Sequence, residues 1–115
     1  MAPDDIDEAL ASLLRRSDRP EDIDVPPGWR PLVATLVRKL DTMTGAWRVA
    51  KISEHDGRLR VSILCDVFGY QLYQMVEEAE QISEHTCRTC GGAGVRQLIA
   101  KRWITTCAEH LELTA

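Results

Sequence analysis

Four residues in the last third of the chain have the types and the spacing of a metal site. Cys87 and Cys90 are separated by two residues and followed by glycines, and Cys107 and His110 are also separated by two residues. Three thiolates and one imidazole fill the tetrahedral shell of Zn²⁺ and leave no open position. The glycines permit the tight backbone turn that two cysteines need to hold one ion. The sequence therefore predicts a structural zinc ion bound by Cys87, Cys90, Cys107 and His110.

Other chemistry stays open for these residues and their neighbours. Cys87 and Cys90 could form a redox dithiol or a disulfide, although thioredoxin-type motifs lie between a strand and a helix. A catalytic zinc would need one of the four ligands to be missing, because such sites keep a position for water. His85 could replace a ligand, but a histidine in the last turn of a helix more often interacts with the helix dipole. Cys65 is interpreted as a buried free thiol.

The elements around the ligands are predicted to be a knuckle, a hairpin and a short helix. Residues 95–104 read as a hairpin with its turn near Ala100 and Lys101. Thr106 and Glu109 have the spacing of a capping box, which would start a helix where Cys107 and His110 are needed. This order, with two ligands at each end, is similar to a treble-clef zinc finger over residues 87–112.

Ahead of the finger, apolar periodicity predicts three helices and one hairpin. Asp56-Gly57 is the preferred pair for a tight turn between two strands. In the second strand, Leu59, Val61, Ile63 and Cys65 should face the core. Residues 17–28 are rich in proline and acidic side chains. They are predicted to be an extended connector without regular structure that leaves the first helix loosely tethered. The predicted helices cover residues 4–16, about 31–43 (ending at Thr44 and Gly45) and about 69–85. The predicted strands cover residues 47–53 and 59–65. The solvated side of the third helix is predicted to carry Glu77, Glu78, Glu80 and Glu84.

The predicted fold class is α+β, a small β-hairpin packed with helices and followed by the treble-clef-like finger. Residues 1–27 are interpreted as an acidic amphipathic helix with a proline-rich linker, and residues 28–115 as one zinc-stabilised domain. Two further surfaces are candidates for binding. The apolar stripe of the first helix could bind a protein partner, and basic side chains of the finger could contact nucleic acid. The stripe consists of Ile6, Leu10, Leu13 and Leu14, and the basic side chains are Arg88, Arg96, Lys101 and Arg102. The three tryptophans are read as core anchors, and one exposed at the edge of the finger would suit an interface.

The composition is that of an ordinary globular protein, and its charge is unevenly distributed. The net charge of the 115 residues is −4. Residues 1–28 hold eight acidic and three basic side chains, a balance of −5, so the remainder has a balance of +1. The chain as a whole therefore lacks the strongly basic character of most nucleic-acid-binding domains. No stretch approaches the roughly 18 apolar residues of a membrane span. The acidic start is unlike a secretory signal, so we expect a cytoplasmic protein with reduced thiols and no membrane partner.

The motifs resemble a family of small bacterial and phage zinc-finger proteins. The shared pattern is Cys-x-x-Cys-Gly at residue 87, then Trp103-x-x-Thr-Cys107-x-x-His, with a Gly28-Trp29-x-Pro opening and a Gly57-x-Leu59-Arg hairpin strand. The resemblance covers about residues 28–111. It implies a zinc-bearing α+β fold and an association with phages, and it implies no activity.

Three functions follow as hypotheses. The absence of a paired carboxylate, a Ser-His-Asp set or a phosphate loop favours a protein without enzymatic activity. The first hypothesis is a protein-binding module, for example a phage-encoded modulator or inhibitor of a host or defence protein. The alternative is a nucleic-acid-binding or transcription-related zinc finger. A metal-dependent hydrolase would require an incomplete ligand set. The oligomeric state is left open.

Overall fold

The computed structural model describes residues 3–43, 46–65 and 69–111 of the chain. These residues form three amphipathic helices and two antiparallel hairpins. The predicted α+β class is confirmed, and Thr44, Gly45 and residue 112 of the predicted finger lie outside the described residues. The helices are α1 (Pro3–Arg15), α2 (Arg30–Asp41) and α3 (Tyr70–Ser83). The first hairpin joins β1 (Trp47–His55) to β2 (Arg58–Cys65), and the second joins β3 (Val95–Ile99) to β4 (Arg102–Thr106). Short 3-10 helices cover Pro20–Asp22, Pro27–Trp29 and Ala108–His110.

The first hairpin turns at Asp56-Gly57, as the sequence predicts. Both residues have positive φ, 52° and 76°, which this pair of residues tolerates in tight hairpin turns. On β2, Leu59 is fully buried, and the remaining side chains of its predicted inner face pack against the core. The alternation of β2 therefore decides which face of the hairpin meets the helices. These remaining side chains are Val61, Ile63 and Cys65.

The core lies between the helices and the inner face of the first hairpin. Helix α2 is central, since it packs against α1 on one side and α3 on another, and α3 also packs against β2. Trp29 and Trp47 are both buried here, as expected for core anchors. Burial of each large apolar side chain contributes about 1.5–3 kcal/mol. The buried residues of α2 are Val33, Ala34, Leu36, Val37 and Leu40.

Helix α1 is part of this core, so the expectation that it is loosely tethered is wrong. Leu13 is only 1% exposed, and Ile6 and Leu10 pack against the core cluster. These three candidate partner-binding side chains cover α2 within the same chain. Leu14 lies outside, with 44% of its surface exposed. Helix α1 packs here because α2 is central, and the apolar side chains of α2 must be buried on more than one side.

The connector after α1 is ordered along the first hairpin, contrary to the prediction of a segment without regular structure. Ser17 and Ile23 form parallel bridges with Val49 and Ile52 of β1. The Val49 N–H donates to the Arg16 carbonyl at 3.0 Å, and the Asp24 N–H donates to the Ile52 carbonyl at 2.9 Å. The connector thus covers the outer edge of β1.

The outer edge of β2 is covered by side chains of α3. The Leu59 N–H donates to the Ser83 hydroxyl, and the Val61 N–H donates to Glu80 Oε2, both at 2.9 Å. Glu80 was predicted to lie on a solvated face, but its side chain is only 13% exposed and also pairs with Arg58. An uncovered strand edge exposes unpaired backbone groups, so these contacts protect the hairpin on both sides. Within the described residues, no helix has the length and apolar character that crossing a membrane requires.

Candidate metal centre

The four predicted ligands converge at one point of the finger. Their donor atoms all lie within 4.8 Å of one another. The Sγ atoms of Cys90 and Cys107 are 3.8 Å apart, and His110 Nδ1 lies 3.0 Å from Cys107 Sγ and 3.7 Å from Cys87 Sγ. Zn–S bonds of about 2.3 Å at tetrahedral angles separate two sulfurs by about 3.8 Å. The four residues are therefore close enough to bind one metal ion.

Backbone groups of the knuckle are arranged to hold anionic sulfur. The Thr89 N–H donates to Cys87 Sγ and the Gly92 N–H donates to Cys90 Sγ, both at 3.4 Å. The turn is closed by the Cys87 N–H, which donates to the Gly92 carbonyl at 2.8 Å, and by Gly91, which has a positive φ of 80°. Such turns favour glycine, as predicted from the spacing. Two sulfurs are thus presented to the same point.

The two cysteines of the knuckle differ in their acidity. Burial of the Cys87 thiol opposes its ionisation, but backbone hydrogen bonds from Cys90, Cys107 and Thr89, with the Thr106 hydroxyl, lower its pKa from 9.0 to about 5. The Gly92 N–H lowers the pKa of Cys90, but desolvation and the neighbouring sulfurs of Cys87 and Cys107 outweigh it, so that pKa is raised. Like charges placed together resist joint ionisation unless a cation compensates them. A divalent cation would supply that compensation.

The second ligand pair follows the second hairpin. Ala100 and Lys101 form its turn, with φ values of 50° and 68°, so the predicted turn position is confirmed. The capping box was wrong in detail, because Thr106 belongs to β4 and Cys107 is the N-cap residue without a side-chain hydrogen bond. The buried Thr106 hydroxyl lies 3.8 Å from Cys87 Sγ instead. The backbone after β4, rather than a capping box, therefore places Cys107 just before the 3-10 helix and His110 at its end.

The remaining chemistry-bearing residues lie apart from this cluster. None of the four cysteines, all of which lie among the described residues, forms a disulfide. Cys65, which was expected to be buried, is half-buried and packs against the core. His85 is exposed, and the metal-ligand cluster among the described residues does not include it. The described geometry therefore leaves His110 as the imidazole of the site.

The finger meets the rest of the molecule at Gly28 and Trp29, which sequence reasoning did not connect to the site. The Gly28 N–H donates to the Arg88 carbonyl at 2.7 Å. A Cβ atom on Gly28 would lie 2.0 Å from the Cys87 carbonyl oxygen, so only glycine fits. The buried Trp29 donates through Nε1 to the Thr86 carbonyl at 2.8 Å. The only signal in the sequence was the Gly-Trp pair itself.

A second contact joins the tip of the first hairpin to the strands of the second. The buried Thr105 hydroxyl donates to the Gly57 carbonyl, and a Cβ atom on Gly57 would lie 3.0 Å from backbone atoms of Trp103 and Ile104. Arg96 Nε donates to the Asp56 carbonyl at 2.8 Å. The Asp-Gly turn therefore serves the finger as well as its own hairpin.

The four basic residues of the finger do not form one free surface. Arg88 pairs with Glu54 at 3.1 Å, and Arg96 lies over the Trp103 ring, 4.4 Å from its centroid. Lys101 and Arg102 are exposed at the hairpin tip. The pKa of Glu54 is raised because burial outweighs the attraction of Arg88 and Arg102. Two of the four predicted basic side chains are thus engaged within the chain.

The finger also exposes apolar side chains. Trp103 is 41% exposed, unlike the two buried tryptophans, and its cross-strand partner Leu98 is 58% exposed. Val95 at the start of β3 is 65% exposed. Trp103 is therefore the tryptophan exposed at the edge of the finger.

Comparison with known proteins finds no family model, no curated protein and no solved structure that matches the chain.

Proposed function

We propose that this chain is a zinc-stabilised binding module without catalytic activity, and that its finger contacts another protein. The observation that supports this most directly is the exposed pair of Leu98 and Trp103 on a hairpin held by the four metal ligands. Tryptophan and arginine are the residues most enriched at the energetic centres of interfaces. Here Arg96 already lies over the Trp103 ring, which orders that side chain before a partner arrives.

The proposal assigns zinc a structural role. Three sulfurs and one imidazole nitrogen suit Zn²⁺ in the tetrahedral shell of structural sites, whereas catalytic sites keep one position for water. The hydrogen bonds to Cys87 and Cys90 support the thiolate forms that zinc requires. Reduced thiols, as in a cytoplasm, are a condition of this role.

Metal analysis tests the zinc assignment. Protein purified without added metal should contain one zinc per chain, and X-ray absorption should report three sulfur ligands and one nitrogen ligand. Cys90→Ser should lose the metal, and Cys65→Ser, which lies outside the cluster, should keep it. Full metal content in Cys90→Ser, or a shell that includes water, would contradict a structural site.

Affinity capture tests the binding function. Wild-type protein should recover a partner from cells, and Trp103→Ala should recover it poorly. Tyr73→Ala is the matched control, because Tyr73 is an exposed aromatic side chain on α3. Equal recovery by wild type and Trp103→Ala would refute the use of the finger.

Nucleic-acid binding is the second candidate, supported by one observation. Trp103 lies beside the exposed cations Lys101 and Arg102, and bases stack on aromatic side chains next to basic grooves. Binding to single-stranded oligonucleotides should then weaken steeply with salt. It should also be lost in the double variant Lys101→Ala, Arg102→Ala. Absence of binding at low salt would remove this candidate.

A further inference from the structure

The outer edge of β3 carries backbone groups without partners. In the second hairpin, the two-residue turn makes Ile99 and Arg102 a hydrogen-bonded pair, so residues 97 and 95 also bond to β4. The N–H and C=O groups of Arg96 and Leu98 therefore point away from β4. Consistent with this alternation, the Gly94 N–H donates outward, to the His85 carbonyl at 2.9 Å. Among the described residues, no hydrogen bond satisfies the backbone N–H of Arg96 or Leu98.

The other three strands have contacts along their outer edges. The connector covers β1, and the side chains of Glu80 and Ser83 cover β2. On β4, the Arg88 N–H donates to the Thr105 carbonyl at 3.1 Å. Proteins commonly protect strand edges with such devices, or with proline and charge. Strand β3 contains no proline, and its one charged side chain, Arg96, is directed to Asp56 and Trp103.

The surface along this edge is concave and carries exposed apolar side chains, and its basic side chains outnumber the acidic side chain of the groove, Glu84, which pairs with Arg96 at 4.0 Å. A groove of about 290 Å³ runs between the end of α3 and the start of β3, lined by Glu84, His85, Gly94, Val95 and Arg96. Val95 and Leu98 are exposed on the strand, and Trp103 lies opposite Leu98. No acidic side chain occurs between Cys87 and Cys107, while Lys101 and Arg102 lie at the tip.

We propose that the edge of β3 binds an extended segment of a partner protein in which apolar residues alternate with Asp or Glu. The segment would add a strand to the hairpin, so that its backbone pairs with Arg96 and Leu98. Its apolar side chains would lie on one face, against Leu98 and its cross-strand partner Trp103, and its carboxylates would lie on the opposite face, which Arg102 shares. This inference rests on the proposed protein-binding function.

Charge is the reason for choosing this occupant over a second copy of the chain. Two copies paired through β3, antiparallel and centred on Gln97, would place both Arg96 side chains on the same face of one sheet. These are diagonal positions, which lie within reach of long side chains, so the two guanidinium charges would repel each other. A carboxylate-bearing strand places no second cation beside Arg96 and meets Arg102 with opposite charge.

The experiment uses full-length, zinc-loaded protein and a fluorescein-labelled synthetic peptide that alternates Glu and Val. We expect saturable binding by fluorescence anisotropy that weakens with salt. A Lys-Val peptide, and a Glu-Val peptide N-methylated on the residues that face the edge, should each bind at least about tenfold more weakly. Leu98→Glu should weaken binding similarly. Leu64→Glu, at an exposed leucine outside the finger, should leave it unchanged.

Amide hydrogen exchange supplies a readout that identifies the edge. Peptide binding should slow exchange of the Arg96 and Leu98 amides, which are free, and change Gln97 little, since it already bonds to β4. Equal affinity of the N-methylated peptide, unchanged exchange at both amides, or no binding would overturn the inference. Dimerisation in sedimentation that Leu98→Glu abolishes would also overturn it, because a second copy would then occupy the edge. If cellular capture still depends on Trp103 while the peptide fails, the inference falls and the proposed function stands.

Discussion

Replacement of Gly28 by alanine should separate the finger from the rest of the molecule. The new Cβ atom would lie 2.0 Å from the Cys87 carbonyl oxygen, 2.6 Å from the Arg88 carbonyl carbon and 2.7 Å from the Gly91 nitrogen. All three are backbone atoms of the knuckle, so no flexible side chain can move aside. Overpacking of this kind costs about 1–3 kcal/mol. The hydrogen bond from the Gly28 N–H to the Arg88 carbonyl contributes about 0.5–1.5 kcal/mol. We therefore expect Gly28→Ala to lower the free energy of unfolding by about 2–4 kcal/mol.

Urea unfolding of the zinc-loaded protein, followed by tryptophan fluorescence, measures this change. A loss of 2–4 kcal/mol is a large share of the roughly 5–15 kcal/mol of a typical domain. The matched control is Gly69→Ala, because a Cβ atom at Gly69 has no neighbour within 4 Å. Gly69 is the N-cap residue of α3, where alanine costs on the order of 0.5 kcal/mol relative to glycine. A Gly28→Ala variant no less stable than Gly69→Ala would show that the finger does not pack against Gly28.

Three other perturbations test separate parts of the structure. Thr105→Val removes the hydroxyl that donates to the Gly57 carbonyl, and leaving a buried carbonyl unpaired should cost about 1–3 kcal/mol in chemical unfolding; an unchanged midpoint would contradict this contact. Burial raises the pKa of Glu54 above its ordinary value of 4.5, and the attraction of Arg88 opposes this rise. The folded state therefore binds this proton more tightly than the unfolded state does. Stability from this group is present below pH 4.5 and is lost as the pH rises through the folded pKa. Glu54→Gln should therefore be more stable than wild type over that pH interval. Urea midpoints of both proteins at several pH values measure the difference, and a lower midpoint for Glu54→Gln would show that burial is not dominant. Removal of metal with a strong chelator should raise amide hydrogen exchange in residues 86–107 before it does so in α2, because the ligands hold the finger; uniform protection after chelation would contradict a metal-dependent finger.

The sequence predicted the local elements because their signals are local. The Asp56-Gly57 turn, the alternation of β2 and the apolar stripe of α2 each depend on neighbouring residues, and all three agree with the structure. The ligand cluster was predictable for a similar reason, since two closely spaced pairs of soft donors have few other uses. Their convergence within 4.8 Å matches that prediction.

The sequence could not show which surfaces are buried by distant parts of the chain. The stripe of α1 is equally suited to a partner and to α2, and only the fold decides that Leu13 is in the core. The same applies to Glu80, whose carboxylate reaches the Val61 N–H across 19 positions. The three tryptophans carry the same prediction of core anchors, because the residue type alone does not show that Trp103 is exposed.

The connector beside β1 has a consequence for handling this protein. A truncated version that starts at Gly28 would lack both the segment that bridges Val49 and Ile52 and helix α1, which packs against α2. A protease cut between residues 17 and 24 would weaken the attachment of both. The remaining fragment would display a bare strand next to uncovered leucines and valines, a combination that promotes association of unfolded or partly folded chains. Shortened versions should therefore precipitate, and fusion partners are better attached before Pro3 than in place of the first helix.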